Sequence, residues 1–176
     1  MTSAFLPTVR IRRAVAGALI ASALLALLGA GPVDAESGRP VPRFVSLRSD
    51  DVNVRTGPGL RYPVDYIYRR RHLPVEVIAE WDTWRKVRDW EGAVGWVHQS
   101  TLSARRYALI MAPAGQLRTL KREPTAAAAA VAEAEPMVIG QVLECQPQWC
   151  RLDVQGRRGW LPRADLWGLY PNETLK

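Results

Sequence analysis

The sequence predicts an all-β protein made of two tandem copies of one small module, preceded by a signal peptide. Two observations carry the prediction. First, Gly95-Trp96-Val97, with Leu102 five residues on, returns as Gly159-Trp160-Leu161 with Leu166. Upstream, Trp84-Arg85-Lys86-Val87 returns as Trp149-Cys150-Arg151-Leu152, an offset of 64 to 65 residues. A period of that size marks a duplicated small domain rather than a solenoid unit. Second, the apolar segments between the repeats are short, alternate with period two and are bounded by turn residues, the pattern of a small barrel or sandwich.

Residues 1–35 read as a leader. Arg10, Arg12 and Arg13 precede an apolar, Ala- and Leu-rich run over 14–30. Gly31-Pro32 closes it, and Val33-Asp34-Ala35 supplies small residues at the −3 and −1 positions of a cleavage site after Ala35. The run falls short of a comfortable bilayer span of about 20 residues, although an uncleaved anchor is the alternative. The rest of a twin-arginine pattern is missing, and no cysteine lies near the apolar run to take a lipid. The expected location is the periplasm.

Residues 36–42 are rich in Gly, Pro and Ser and are expected to form a flexible lead-in. The first module spans 43–103. Strands are expected at 44–47, 52–55, 64–68, 75–80, 84–89 and 94–98, with Thr56-Gly57-Pro58-Gly59, Asp82-Thr83 and Glu91-Gly92 as turns. The second module spans 105–170, with strands at 107–111, 131–134, 138–143, 149–154 and 158–161. Leu120 to Pro124 stands where Val54 to Pro58 stood. The alanines at 126–130 favour helix by propensity, but the repeat places a loop there. Residues 171–176 are expected to be a tail.

Cys145 and Cys150 are the only cysteines. Across the turn Gln146-Pro147-Gln148-Trp149 they would face each other on paired strands, and an oxidising compartment favours a disulfide. Two thiolates do not make a tetrahedral zinc site, and His72 and His98 lie in the other repeat. No metal or other cofactor is implied.

Asn53-Val54-Arg55-Thr56-Gly57-Pro58-Gly59, then Trp84-x-x-Val87, then Gly95-Trp96-Val97, resembles the bacterial SH3-like (SH3b) domain. Over residues 43–170 the chain is similar to tandem SH3-like proteins exported by alphaproteobacteria. The resemblance implies a five-stranded small barrel per module and an extracytoplasmic place. It also implies binding of cell-wall peptidoglycan or peptides, in a family where such modules often stand beside a hydrolase domain. The second module departs from the pattern: Lys121-Arg122-Glu123-Pro124 and alanines replace the Gly-Pro-Gly loop. A groove built on that loop would belong to the first module alone. Gly159-Trp160-Leu161-Pro162 echoes a segment of proline-binding SH3 domains, but Asp165 replaces the aromatic that such a groove needs.

Ligand-binding candidates follow from strand alternation. With Val87, Val97 and Leu161 in the core, Trp84, Trp96 and Trp160 face outward. Outward tryptophans on neighbouring strands form a platform for sugar rings or peptide side chains; the competing reading has them cover the barrel end or the seam between modules. Trp81 and Trp90 occur only in the first module and are the better candidates. Tyr62, Tyr66 and Tyr68 can line a groove with the Gly57-Pro58-Gly59 loop, or Tyr66 or Tyr68 can be core. Arg55 either holds that loop by bonds to backbone carbonyls or binds a carboxylate. Arg69-Arg70-Arg71 reads as a solvated turn or an anion contact.

The formal charge is +7, and removing the three Arg and one Asp of the leader takes it to +5. In an exported chain this favours wall polymers or an envelope protein or peptide as partner, and argues against nucleic acid. A membrane would be met only through an uncleaved leader. No nucleophile–base pair, metal-ligand spacing, Gly-x-Ser-x-Gly elbow or phosphate loop is present. The expected role is non-catalytic binding, with an envelope adaptor as the alternative.

Overall fold

The structure is a computed structural model that describes Val33–Asp34 and residues 37–175. The leader reading and its cleavage site fall largely outside the described residues. Among the described residues there are two antiparallel seven-stranded sheets and one two-stranded pairing, and there is no α-helix. The all-β, two-module expectation holds.

A short pairing of β1 (Val33–Asp34) with β2 (Pro40–Val41) precedes the first sheet. That sheet contains β3 (Arg43–Leu47), β4 (Val52–Arg55), β5 (Val64–Tyr68), β6 (Pro74–Trp81), β7 (Trp84–Arg88), β8 (Val94–His98) and β9 (Leu102–Ser103). Its strand order is β5-β4-β8-β7-β6-β3-β9. The second contains β10 (Tyr107–Ile110), β11 (Arg118–Lys121), β12 (Ala130–Ala134), β13 (Ile139–Cys145), β14 (Trp149–Val154), β15 (Arg157–Pro162) and β16 (Leu166–Trp167). Its order, β12-β11-β15-β14-β13-β10-β16, repeats that of the first strand for strand. Each sheet has seven strands where the resemblance implies five, because the two-residue β9 and β16 add a last rung and the hairpin strands β5 and β12 stay paired outside β4 and β11. A single 3-10 turn, Gln99–Thr101 or Arg163–Asp165, precedes the last strand of each. The alanine run is a loop leading into β12, as the repeat requires.

The repeated glycines have a steric cause. A Cβ on Gly95 would lie 2.2 Å from Val54 Cγ1, and one on Gly159 would lie 2.7 Å from Leu120 Cβ. Glycine is what lets β4 cross β8, and β11 cross β15, at this distance. Fully buried Val52, Val54, Val75, Val77, Val87 and Val97 fill the first core, and Ile110, Leu120, Leu152 and Leu161 fill the second. Each contributes about 2 kcal/mol by burial. All four residues of β10 are buried: Ala108 and Ile110 belong to the second core, while Leu109 joins the first. A strand buried on both faces loses its alternation, and β10 is such a strand, shared by the two modules.

The lead-in expected to be flexible is tied down over its described part. Ser37 donates its backbone N–H and its hydroxyl to Glu80, each at 2.9 Å, and Val41 packs on the first core. The expected tail is docked too. Leu175 bridges to Cys145, and Glu173 pairs with Arg106. Both flanks dock in the same two ways: polar groups of the modules find partners there, and Val41 and Leu175 pack on the two cores.

Candidate functional site

The loop at 56–63 is held from below. Arg55 Nη1 donates to the Tyr62 carbonyl at 2.6 Å and to the Leu60 carbonyl at 3.4 Å. The half-buried Tyr62 ring lies against Gly57, where a Cβ would come within 2.5 Å of it, and Arg61 stacks on the ring at 5.1 Å. Arg55 therefore positions the loop, the first of its two sequence readings. Leu60 is left 80% exposed at the loop tip.

Three tryptophans, Trp81, Trp84 and Trp96, gather on the outer face of β6, β7 and β8. Trp81 is the cross-strand partner of Trp84, and Trp84 of His98. Two residues further along these strands, Lys86 pairs with Trp96, and Trp96 with Arg55. Residues two apart share a face, so Trp81, Trp84, Trp96 and His98 lie on one surface with Lys86 and Arg55. Their exposure differs sharply. Trp81 is 61% exposed and Trp96 is half-buried, whereas Trp84 is only 8% exposed, with the His98 ring edge-on at 5.4 Å. One reading made Trp84 part of an open platform and the other made it a cover. Trp84 is outside the core as alternation requires, but β7 is a central strand and its neighbours cover the ring. Trp160 is likewise buried at 7%.

Tyr66 and Trp90, the other candidates, go elsewhere. Both pack against the first core. The Tyr66 and Tyr68 hydroxyls meet at 3.2 Å, and Tyr68 donates to Asp89 Oδ2 at 3.1 Å. Asp89 Oδ1 accepts the backbone N–H groups of Glu91 and Ala93 and so shapes the turn that carries Trp90. Burial first, then the bond to Tyr66 and the Asp89 charge, push the Tyr68 hydroxyl well above its ordinary range. This chain of groups is structural. The structure thus brings Trp81, Trp84, Trp96 and Arg55 together, leaves Tyr62 on the loop and takes Tyr66 and Trp90 away.

The seam between modules uses aromatics that strand alternation did not single out. Phe44 meets Trp167 at 5.1 Å and Tyr170 at 4.8 Å, and His72 stacks on Tyr107 at 4.2 Å. Tyr170 donates to Glu76 at 2.8 Å, and Arg70 donates to the Met137 carbonyl at 2.6 Å. One of the three consecutive arginines is therefore part of the seam rather than an anion contact. Cys145 and Cys150 form the expected disulfide, as direct cross-strand partners with Cα atoms 4.1 Å apart.

The model of the bacterial SH3 domain matches residues 48–104 and 117–168, more than half of the chain and both modules. The chain belongs to the bacterial SH3 domain family. Among curated proteins none matches it. Solved structures with some likeness include NlpC2 from Trichomonas vaginalis, at 13% identity and a TM-score of 0.34, over 75% of this chain and 50% of that one. NlpC1 from the same organism has 14% identity, a TM-score of 0.32 and coverage of 71% and 45%. An NlpC/P60 family protein from Bacillus cereus has 13% identity, a TM-score of 0.32 and coverage of 70% and 55%. The tandem bacterial SH3 chain spans about half the length of these proteins. Domains of this family are typically binding modules, and the chain carries two copies, the second with a disulfide.

Proposed function

We propose that this tandem bacterial SH3 protein is a non-catalytic binding protein of the periplasm. In this reading it is exported by its 1–35 leader and recognises cell-wall peptidoglycan or an envelope peptide. The contact surface is the outer face of β6–β8 in the first module. The observation that carries the reading is Trp81, a large apolar side chain left 61% exposed beside Trp84 and Trp96. An indole in that position offers a flat stacking surface for a sugar ring or a peptide side chain. Lys86 and Arg55 edge the same face with positive charge, which suits an anionic polymer. The adaptor alternative keeps one form. The seam is built from other aromatics, so the tryptophan face is available to a protein partner.

The test is sedimentation with insoluble peptidoglycan across a salt series. Pelleting that persists at high salt and is lost in Trp81→Ala, with the fold retained, is the expected result. Pelleting abolished by moderate salt reduces the contact to charge alone. No pelleting at any salt removes the wall ligand and leaves the protein-partner form.

A further inference from the structure

Arg85 follows Trp84 on β7, and Gln99 follows His98 at the end of β8. Neighbouring strand residues point to opposite faces, and behind the tryptophan face these two residues line a cavity of about 400 Å3. Arg39, Arg43, Arg48 and Ser37 line it as well, and no acidic side chain does. Glu80, only 1% exposed, is the nearest counter-charge. It is held by Arg43, by Arg85 Nε at 3.0 Å and by Ser37. Four arginines against one carboxylate leave an excess of three positive charges.

The donors here divide into two groups. Arg85 is committed: besides Glu80 it donates to the Asp82 carbonyl at 2.8 Å, the Trp84 carbonyl at 2.9 Å and Gln99 Oε1 at 2.8 Å. Arg39 and Arg48 are exposed, and among the described residues their side chains have no hydrogen-bond or ion-pair partner. Arg43 is committed as well, to Glu80 and the Pro40 carbonyl, and its buried Nε is closed to the cavity. Guanidinium groups are matched in geometry to oxyanions. The cavity already shows which anion its arginines accept, since Arg43, Arg85 and Ser37 together hold a carboxylate. Its volume exceeds that of a lone ion and falls in the range of small-molecule sites, about 300–1,000 Å3.

We propose that this cavity binds a carboxylate-bearing ligand of short-peptide size, with the carboxylate taken by Arg39 and Arg48. The site is separate from the tryptophan face and does not depend on the proposed wall ligand.

Calorimetric titration of the full chain, disulfide intact, tests it with three probes: acetyl-Ala-Ala, its C-terminal amide and inorganic phosphate. The acid is expected to bind and the amide to bind at least about tenfold more weakly. Arg39→Gln and Arg48→Gln are each expected to weaken acid binding about three- to tenfold, and together to abolish it. Both variants should unfold at the wild-type urea concentration, because those side chains hold nothing else. Trp81→Ala should leave the acid affinity unchanged, which separates this site from the wall-binding reading. Equal binding of acid and amide, no binding of the acid, or acid binding indifferent to the double arginine variant overturns the proposal. Phosphate binding without acid binding overturns it too, since the site would then belong to a different anion.

Discussion

Glu80 concentrates much of the first module's polar chemistry in one side chain. Burial pushes its carboxyl up, but the hydrogen bonds from Arg43 and Ser37 and the Arg43 charge outweigh that and hold it below the ordinary value of 4.5. The unfolded chain therefore binds the proton more readily than the folded one. Stability from this group is complete above pH 4.5 and is lost as pH falls through the lowered folded value. Glu80→Gln leaves Arg85 buried without its charge partner and should cost about 3 kcal/mol at neutral pH. Urea unfolding at neutral and acidic pH should also show a shallower loss of stability on acidification than in the parent. Arg163 does comparable work in the second module. Its guanidinium donates to the carbonyls of Pro147, Gln146, Tyr170 and Glu173, at 3.1, 2.7, 2.7 and 2.7 Å. Arg163→Met removes all four bonds, although the Tyr170 carbonyl keeps the Glu173 N–H at 3.2 Å, and should cost about 3 kcal/mol. Arg163→Lys should not restore it, because an ammonium lacks the planar fork.

Between the two hairpins, one register position is filled by two chemistries. Glu80 and Arg85 are cross-strand partners on β6 and β7, and Cys145 and Cys150 are cross-strand partners on β13 and β14. The offset is 65 residues at both positions, so the disulfide stands where the first module keeps a buried ion pair. Both close the hairpin end above the core. The double variant Glu80→Cys with Arg85→Cys should therefore oxidise to a second disulfide, read as the absence of titratable thiols. Two persistent free thiols would show that the hairpin ends differ. Reducing the native bridge should cost about 2 kcal/mol by the loop-entropy relation for so short a loop, and the second core should keep the module folded.

The two modules cannot be treated as independent beads. Leu109 belongs to the second module's chain but to the first module's core, and Phe44 of the first lies between Trp167 and Tyr170 of the second. A bond from Tyr170 to Glu76 spans 94 residues of sequence. Thermal unfolding should be a single cooperative transition, and two resolved transitions would contradict the shared seam. Phe44→Ala should lower stability by about 3 kcal/mol and begin to separate the modules, visible as a broadened or split transition.

Read by itself, the sequence determined the class, the duplication, most of the longer strand segments, the loop under the alanine run and the disulfide. These depend on local alternation, on turn residues and on a repeat whose glycines are sterically required at Gly95 and Gly159. It also placed Trp84, Trp96 and Trp160 outside the core and named Trp81 among the better ligand candidates. Tertiary structure alone decided which of them is open, because alternation reports the face of a strand and not what lies over it. Trp84 and Trp160 are covered by neighbours on adjacent strands, while Trp81 at the hairpin end is not. Tertiary structure also decided the seam, the docking of the flanking residues and the arginine-lined cavity. Each of these joins residues tens of positions apart, through contacts that leave no periodic trace along the chain.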